Sequence, residues 1–216
     1  MENIEKTSAS ASSGMLPLIA VIVVIGLLIA FLSPAVHHPA VHQQTSQSVP
    51  SSGMSIYGKP TITIVQINKI LSYYHSPAAG QGQAIYNEAV NYGIDPAIEL
   101  AFFWHESGFG ENGMARITHS IGNLRCIDNA ACVNTQGGVC QPGQSCYASF
   151  PSYDAGAKAW CALLSSSLYR GDGLTTVESI IPRYAPAADN NDEQAYINSV
   201  ETAVQTWRSG RVEVVA

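Results

Sequence analysis

Downstream of residue 60 the apolar positions recur at helical spacing. Ile64, Ile67, Ile70 and Leu71 mark one face of a first amphipathic helix, which stops before Ser76-Pro77. Residues 81–91 read as a second helix, ended by Gly93. Asp95-Pro96 opens a third, with Asp as N-cap and Pro at the first helical position. That third helix runs to Glu106 and is apolar on nearly every side, which predicts a central, buried element. From Gly108 to Phe150 the periodicity gives way to Gly, Asn and Cys, predicting turns and short strands. Helical spacing returns over residues 154–168, with Trp160, Leu163 and Leu164 on one face. A short helix follows Thr175-Thr176 and meets Pro182. The last spans about 192–207, with Tyr196, Ile197, Val200, Val204 and Trp207 as its core face. The pattern therefore predicts a mainly α fold (α+β overall). An irregular lobe, for which a β-hairpin is one form, is inserted after the central helix.

Upstream, residues 15–32 (MLPLIAVIVVIGLLIAFL) are apolar without a charge. Eighteen helical residues span roughly 27 Å, close to a hydrocarbon core of about 30 Å. The run exceeds the usual apolar core of a signal peptide, so it reads as an uncleaved transmembrane anchor, with signal cleavage near Pro34-Ala35-Val36 and secretion as the alternative. Lys6 is the only basic residue before it and none follows until Lys59, which places residues 1–14 in the cytoplasm and the rest outside the cell membrane. Residues 1–14 are a polar, Ser-rich tail. Residues 33–60 have a linker composition in which His37, His38 and His42 read as solvated side chains. The folded domain is expected over 61–216, with a Cys-rich insert at 126–146.

Charge and cysteine content narrow the functional classes. The net charge is −6 and basic residues are scattered singly, which argues against a nucleic-acid partner. Four cysteines are spaced Cys126-x5-Cys132-x7-Cys140-x5-Cys146, without the close pairs typical of zinc sites. In an exported domain they read as disulfides, in any of three pairings. Cys161 lies in an apolar helical pattern and reads as a buried free thiol. No metal or cofactor is expected.

The candidate chemistry centres on Glu106. It ends the most apolar helix, one residue before Ser107-Gly108, with Phe102 and Phe103 one turn earlier on its face and Glu99 two turns away. Apolar surroundings raise a carboxyl pKa, so the group can hold a proton near neutral pH and donate it. Glu106-Ser107-Gly108-Phe109 followed by Ser120-Ile121-Gly122-Asn123-Leu124 resembles the core of the lysozyme-like superfamily. So do the segment from Phe150 to Trp160 and the run Ile181-Pro182-Arg183-Tyr184-Ala185-Pro186 with Asp189-Asn190-Asn191-Asp192 and Ala195-Tyr196-Ile197. The resemblance covers about residues 80–208 and is nearest to autolysin-type endo-β-N-acetylglucosaminidases and lytic transglycosylases.

The resemblance implies a glycosidase of bacterial cell wall, acting on the β-1,4 bonds of peptidoglycan strands. In it Glu106 is the general acid, and Tyr184 orients that acid or stabilises the transition state. Ser120 and Asn123 match the turn lining the cleft and would hydrogen-bond substrate or position Glu106, Phe109 is a further candidate substrate contact, and Asp128 is the candidate second acid within the cysteine-bounded insert. If no second carboxylate serves, the sugar's own 6-hydroxyl attacks and leaves a 1,6-anhydro end, as in the lytic transglycosylases. Hydrolase and transglycosylase both stay open, as does a non-catalytic wall-binding or assembly module on the same fold.

Overall fold

The computed structural model describes residues 53–215. The expected tail, anchor and most of the linker lie outside the described residues. Among the described residues no helix is long and apolar enough to cross a membrane. The chain forms seven α-helices there: α1 (Ile64–Tyr73), α2 (Gly82–Tyr92), α3 (Pro96–Ser107), α4 (Ala115–Thr118), α5 (Tyr153–Leu164), α6 (Val177–Tyr184) and α7 (Glu193–Arg208). Two strands, β1 (Ala131–Asn134) and β2 (Cys146–Ser149), pair antiparallel with Ala131 opposite Ser149 and Asn134 opposite Cys146. The fold is thus mainly helical with one small hairpin between α4 and α5.

Helix α3 is the axis of the domain. Asp95 caps it by accepting from the Ala97 amide at 3.1 Å, and Pro96 fills the first position, where no amide partner is needed. Asp95 also receives Thr61 and an Arg208 ion pair at 2.8 Å, which ties α7's end to α3's start. Every α3 residue from Pro96 to Phe103 is buried, so no amphipathic stripe exists for the packing to follow. Helix α7 packs along α3 and α5 along α2. Trp160 of α5 wedges between Phe102 and Phe103, with ring centroids 5.1 and 5.3 Å away. Trimming one of these aromatic rings to Ala would cost about 3–5 kcal/mol.

Two boundaries differ from the sequence reading. The linker expected through residue 60 ends earlier, because Ile56 is fully buried and its neighbours bridge to distant strands of chain, Ser55 to Thr176 and Tyr57 to Ile94. The Met54 amide donates to the Glu178 carboxylate at 3.0 Å, holding this strap on α6. Helix α5 ends at Leu164, short of the expected residue 168, where Ser165 caps it and the chain turns toward Tyr169.

The cysteines pair in sequence order, Cys126 with Cys132 and Cys140 with Cys146, and Cys161 is free and buried. One disulfide therefore closes the loop entering β1, and the other closes the turn before β2. All four sulfur atoms lie within 4.8 Å of one another, but as disulfides they offer no thiolate to a metal.

Candidate active site

Glu106 owes its position to the way α3 stops. Gly108 takes the left-handed conformation (φ 56°), which costs glycine little, and its amide reaches back to the Trp104 carbonyl at 2.9 Å. The Phe109 amide bonds the Phe103 carbonyl at 3.0 Å, closing the helix end. Ser107 then joins that end to the next turn. Its hydroxyl donates to the Ile121 carbonyl and accepts from the Gly110 amide, both at 2.8 Å. The turn itself is built by Ser120, whose hydroxyl accepts from the Leu124 amide at 2.9 Å, and by Asn123 in the left-handed region (φ 53°). The Ala148 amide of β2 donates to the Leu124 carbonyl at 3.0 Å, so the hairpin hangs from the same turn.

The partner of Glu106 comes from the other end of the domain. Tyr196, on the buried face of α7, donates its hydroxyl to Glu106 Oε1 at 2.5 Å. Its ring stacks on His105, with centroids 3.7 Å apart, and tilts against Phe102 at 5.8 Å. Burial pushes the Glu106 carboxyl above its ordinary range. Hydrogen bonding from Tyr196 and then Asn123 favours the charged form and offsets part of that rise. The C-terminal end of the α3 dipole also opposes a negative charge here. The result is a carboxyl held in one orientation, with its proton more readily retained than in water. The Tyr196 hydroxyl stays protonated well beyond the usual phenol range, through burial and the neighbouring Glu106 charge.

Tyr184 is close by but differently engaged. Its hydroxyl donates to the Gly122 carbonyl and accepts from Trp160 Nε1 at 3.1 Å, and its ring stands edge-on to Phe102 at 5.6 Å. The hydroxyl that reaches the acid is therefore Tyr196 and not the expected Tyr184, which instead fixes the turn facing it.

Glu106 opens onto a cavity of about 510 Å³. Its polar lining includes Asn123, Arg125, Tyr147, Arg183, Tyr184 and Asn191, and the Arg125 guanidinium lies 4.7 Å from the centre of the Tyr147 ring. Among the described residues Glu106 and Asp189 are the only carboxylates that line it. Among the described residues Asn123 Oδ1 is buried with no hydrogen-bond partner, an acceptor available to a ligand beside the acid. A smaller cavity of about 350 Å³ also borders Glu106, between Trp104, Asn112 and Ser199.

Other expected site residues fall elsewhere. Phe109 is fully buried against Tyr74 and Trp207, with centroids at 5.4 and 5.9 Å, so it is a core residue and not a substrate contact. Ser120 is fully buried and supports the turn without lining the cavity. Asp128 is exposed and lines a neighbouring cavity instead of the one that Glu106 lines. The loop closed by the Cys126–Cys132 disulfide carries Asp128 into a cavity lined by Ala155, Lys158 and Ala159 of α5. Glu99 is fully buried and accepts a Cys161 S–H at 3.2 Å, and burial lifts its carboxyl well above the ordinary range. Arg125 and Tyr147 were not singled out from sequence, and Asp189 and Tyr196 entered only as parts of the C-terminal motif, without a role at the site. The further signal for Tyr196 was a hydroxyl on an otherwise apolar helix face.

No protein-family model and no curated protein matches the chain. Among solved structures it is similar to a C-terminally truncated glycoside hydrolase domain of FlgJ from Salmonella typhimurium, at 14% identity and a TM-score of 0.43, over 66% of this chain and 97% of that one.

Proposed function

We propose that the domain is a glycosidase that cleaves β-1,4 bonds of peptidoglycan strands, with Glu106 as its general acid. The observation that carries this reading is one proton-holding carboxyl, fixed at 2.5 Å by Tyr196, at the wall of an open cavity lined by amides, tyrosines and arginines. Such a lining suits a polyhydroxylated, N-acetylated chain. The flat faces of Tyr147 and Tyr184 can carry sugar rings, Asn123 Oδ1 can accept from an amide or hydroxyl, and the guanidinium groups can donate. Glu106 gives its proton to the glycosidic oxygen as the bond to the anomeric carbon breaks. The resulting carboxylate takes a proton from the incoming nucleophile, which restores the acid. Tyr196 stabilises the anionic form between those two transfers.

The nucleophile is either water or the sugar's 6-hydroxyl. For water, Asp189 is our candidate assisting carboxylate, because it lines the same cavity as Glu106. Without it the strand attacks itself and ends in a 1,6-anhydro sugar. Mass spectrometry of the released fragments separates the two, since anhydro ends are one water lighter. Glu106→Gln should keep the fold and release nothing from purified cell walls, and undiminished release would sink the reading. The two disulfides fit an exported domain, and we place it outside the membrane, held by residues 15–32.

A further inference from the structure

The cavity lined by Asp128 has no part in the chemistry above. It measures about 630 Å³ and lies against α5, where Ala159, Ala162 and Leu163 give it a shallow floor of methyl groups. Ile127 and Leu163 line both this cavity and the one at Glu106, so the two are neighbours on the same side of α5. Lys158 and Asp128 bring opposite charges to its lining. Both are exposed, and neither has an ion-pair partner among the described residues.

We propose that this second cleft binds the short peptide branches of the glycan strand, so that peptide-bearing strands are the preferred substrate. The proposal rests on the glycosidase reading. A strand seated against Glu106 carries a peptide on alternate sugars, and each branch must lie on the surface beside the strand. Such a peptide is short, rich in alanine methyls, and bears both free carboxylates and an amino group. The methyl floor of α5 matches the alanines, Lys158 matches a carboxylate, and Asp128 matches the ammonium. Tyr92 and Phe150 add apolar surface beside the alanines, and the paired opposite charges of Lys158 and Asp128 suit a zwitterionic peptide better than an uncharged sugar chain. Asp128 thereby has a binding role away from the acid.

The test compares two substrates with the full chain: intact peptidoglycan sacculi, and the same sacculi stripped of peptides by an amidase. The ratio of kcat/KM on intact to stripped sacculi should favour the intact form. It should fall about tenfold in Lys158→Glu, where one attractive charge contact becomes repulsive, and should persist in Lys158→Arg. Equal rates on the two substrates, or a ratio untouched by Lys158→Glu, would overturn the proposal. A direct titration keeps the two readings apart. The tetrapeptide L-alanyl-γ-D-glutamyl-diaminopimelyl-D-alanine should perturb NMR signals of α5, and should do so more weakly in Lys158→Glu. Absence of any perturbation overturns the cleft, whatever the catalytic result. Cleavage of neither substrate together with peptide binding overturns the glycosidase reading and leaves the cleft supported.

Discussion

Replacing Tyr196 with Phe removes one oxygen and leaves the ring that stacks on His105 and Phe102 in place. That oxygen bonds Glu106 Oε1 at 2.5 Å and favours the charged carboxylate. A hydrogen bond to a charged group is worth about 1.5–3 kcal/mol, and about 1.4 kcal/mol corresponds to one pKa unit. The Glu106 carboxyl should therefore titrate about one to two units higher in Tyr196→Phe. The sign follows from which form loses its partner: the carboxylate is destabilised, so the proton is held to higher pH. A pH profile of kcat/KM on purified walls reads this as an alkaline limb shifted upward, because the limb reports deprotonation of the free enzyme's acid. The peak rate should fall about tenfold to a hundredfold, as the carboxyl loses its anchor. Tyr184→Phe is the matched control. Its hydroxyl serves the Gly122 carbonyl, so it should leave the limb nearly where it is. An alkaline limb that stays put or moves down in Tyr196→Phe would refute the assignment, and so would an equal shift in Tyr184→Phe.

Further expectations follow from the same contacts. A carboxyl whose folded pKa is raised contributes its stability below the ordinary carboxylate range and loses it as pH rises, so Glu106→Gln should raise Tm by a few degrees at pH 7 and by nothing near pH 3.5. Differential scanning calorimetry at the two pH values checks this. Gly108→Ala forces a Cβ into a left-handed residue (φ 56°) and should destabilise by about 1 kcal/mol or more, read in chemical denaturation. Peptide mapping without reductant should recover Cys126 with Cys132 and Cys140 with Cys146, while Cys161 resists alkylation until the protein is unfolded.

Local signals carried much of the fold and the central residue of the site. Asp95-Pro96 and Gly108 bracket α3 because capping and left-handed termination are written in single residues. Glu106 stood out because a carboxylate among Phe102, Phe103 and Trp104 needs a reason to be there. What was hidden depends on contacts between distant parts of the chain. Tyr196 sits at a core position of α7, and only the packing of α7 along α3 shows that its hydroxyl reaches Glu106, 90 residues away. Tyr184 has the right neighbourhood and the wrong bond, since Gly122 takes its proton. Asp128 was legible as part of a cysteine-bounded loop, but that the loop lines a cavity with Lys158 and Ala159 of α5 depends on contacts some thirty residues along the chain. The strap at Ile56 shares its composition with the linker, and its burial depends on Thr176 and Ile94 far along the chain.

The central claim is that Glu106 donates the proton that breaks a glycosidic bond. Wild type and Glu106→Gln should be incubated with purified peptidoglycan, and the soluble products weighed by mass spectrometry. The account predicts disaccharide-containing fragments from the wild type and none above background from a folded Glu106→Gln. Equal fragment release by the two proteins, or none from either, would contradict it.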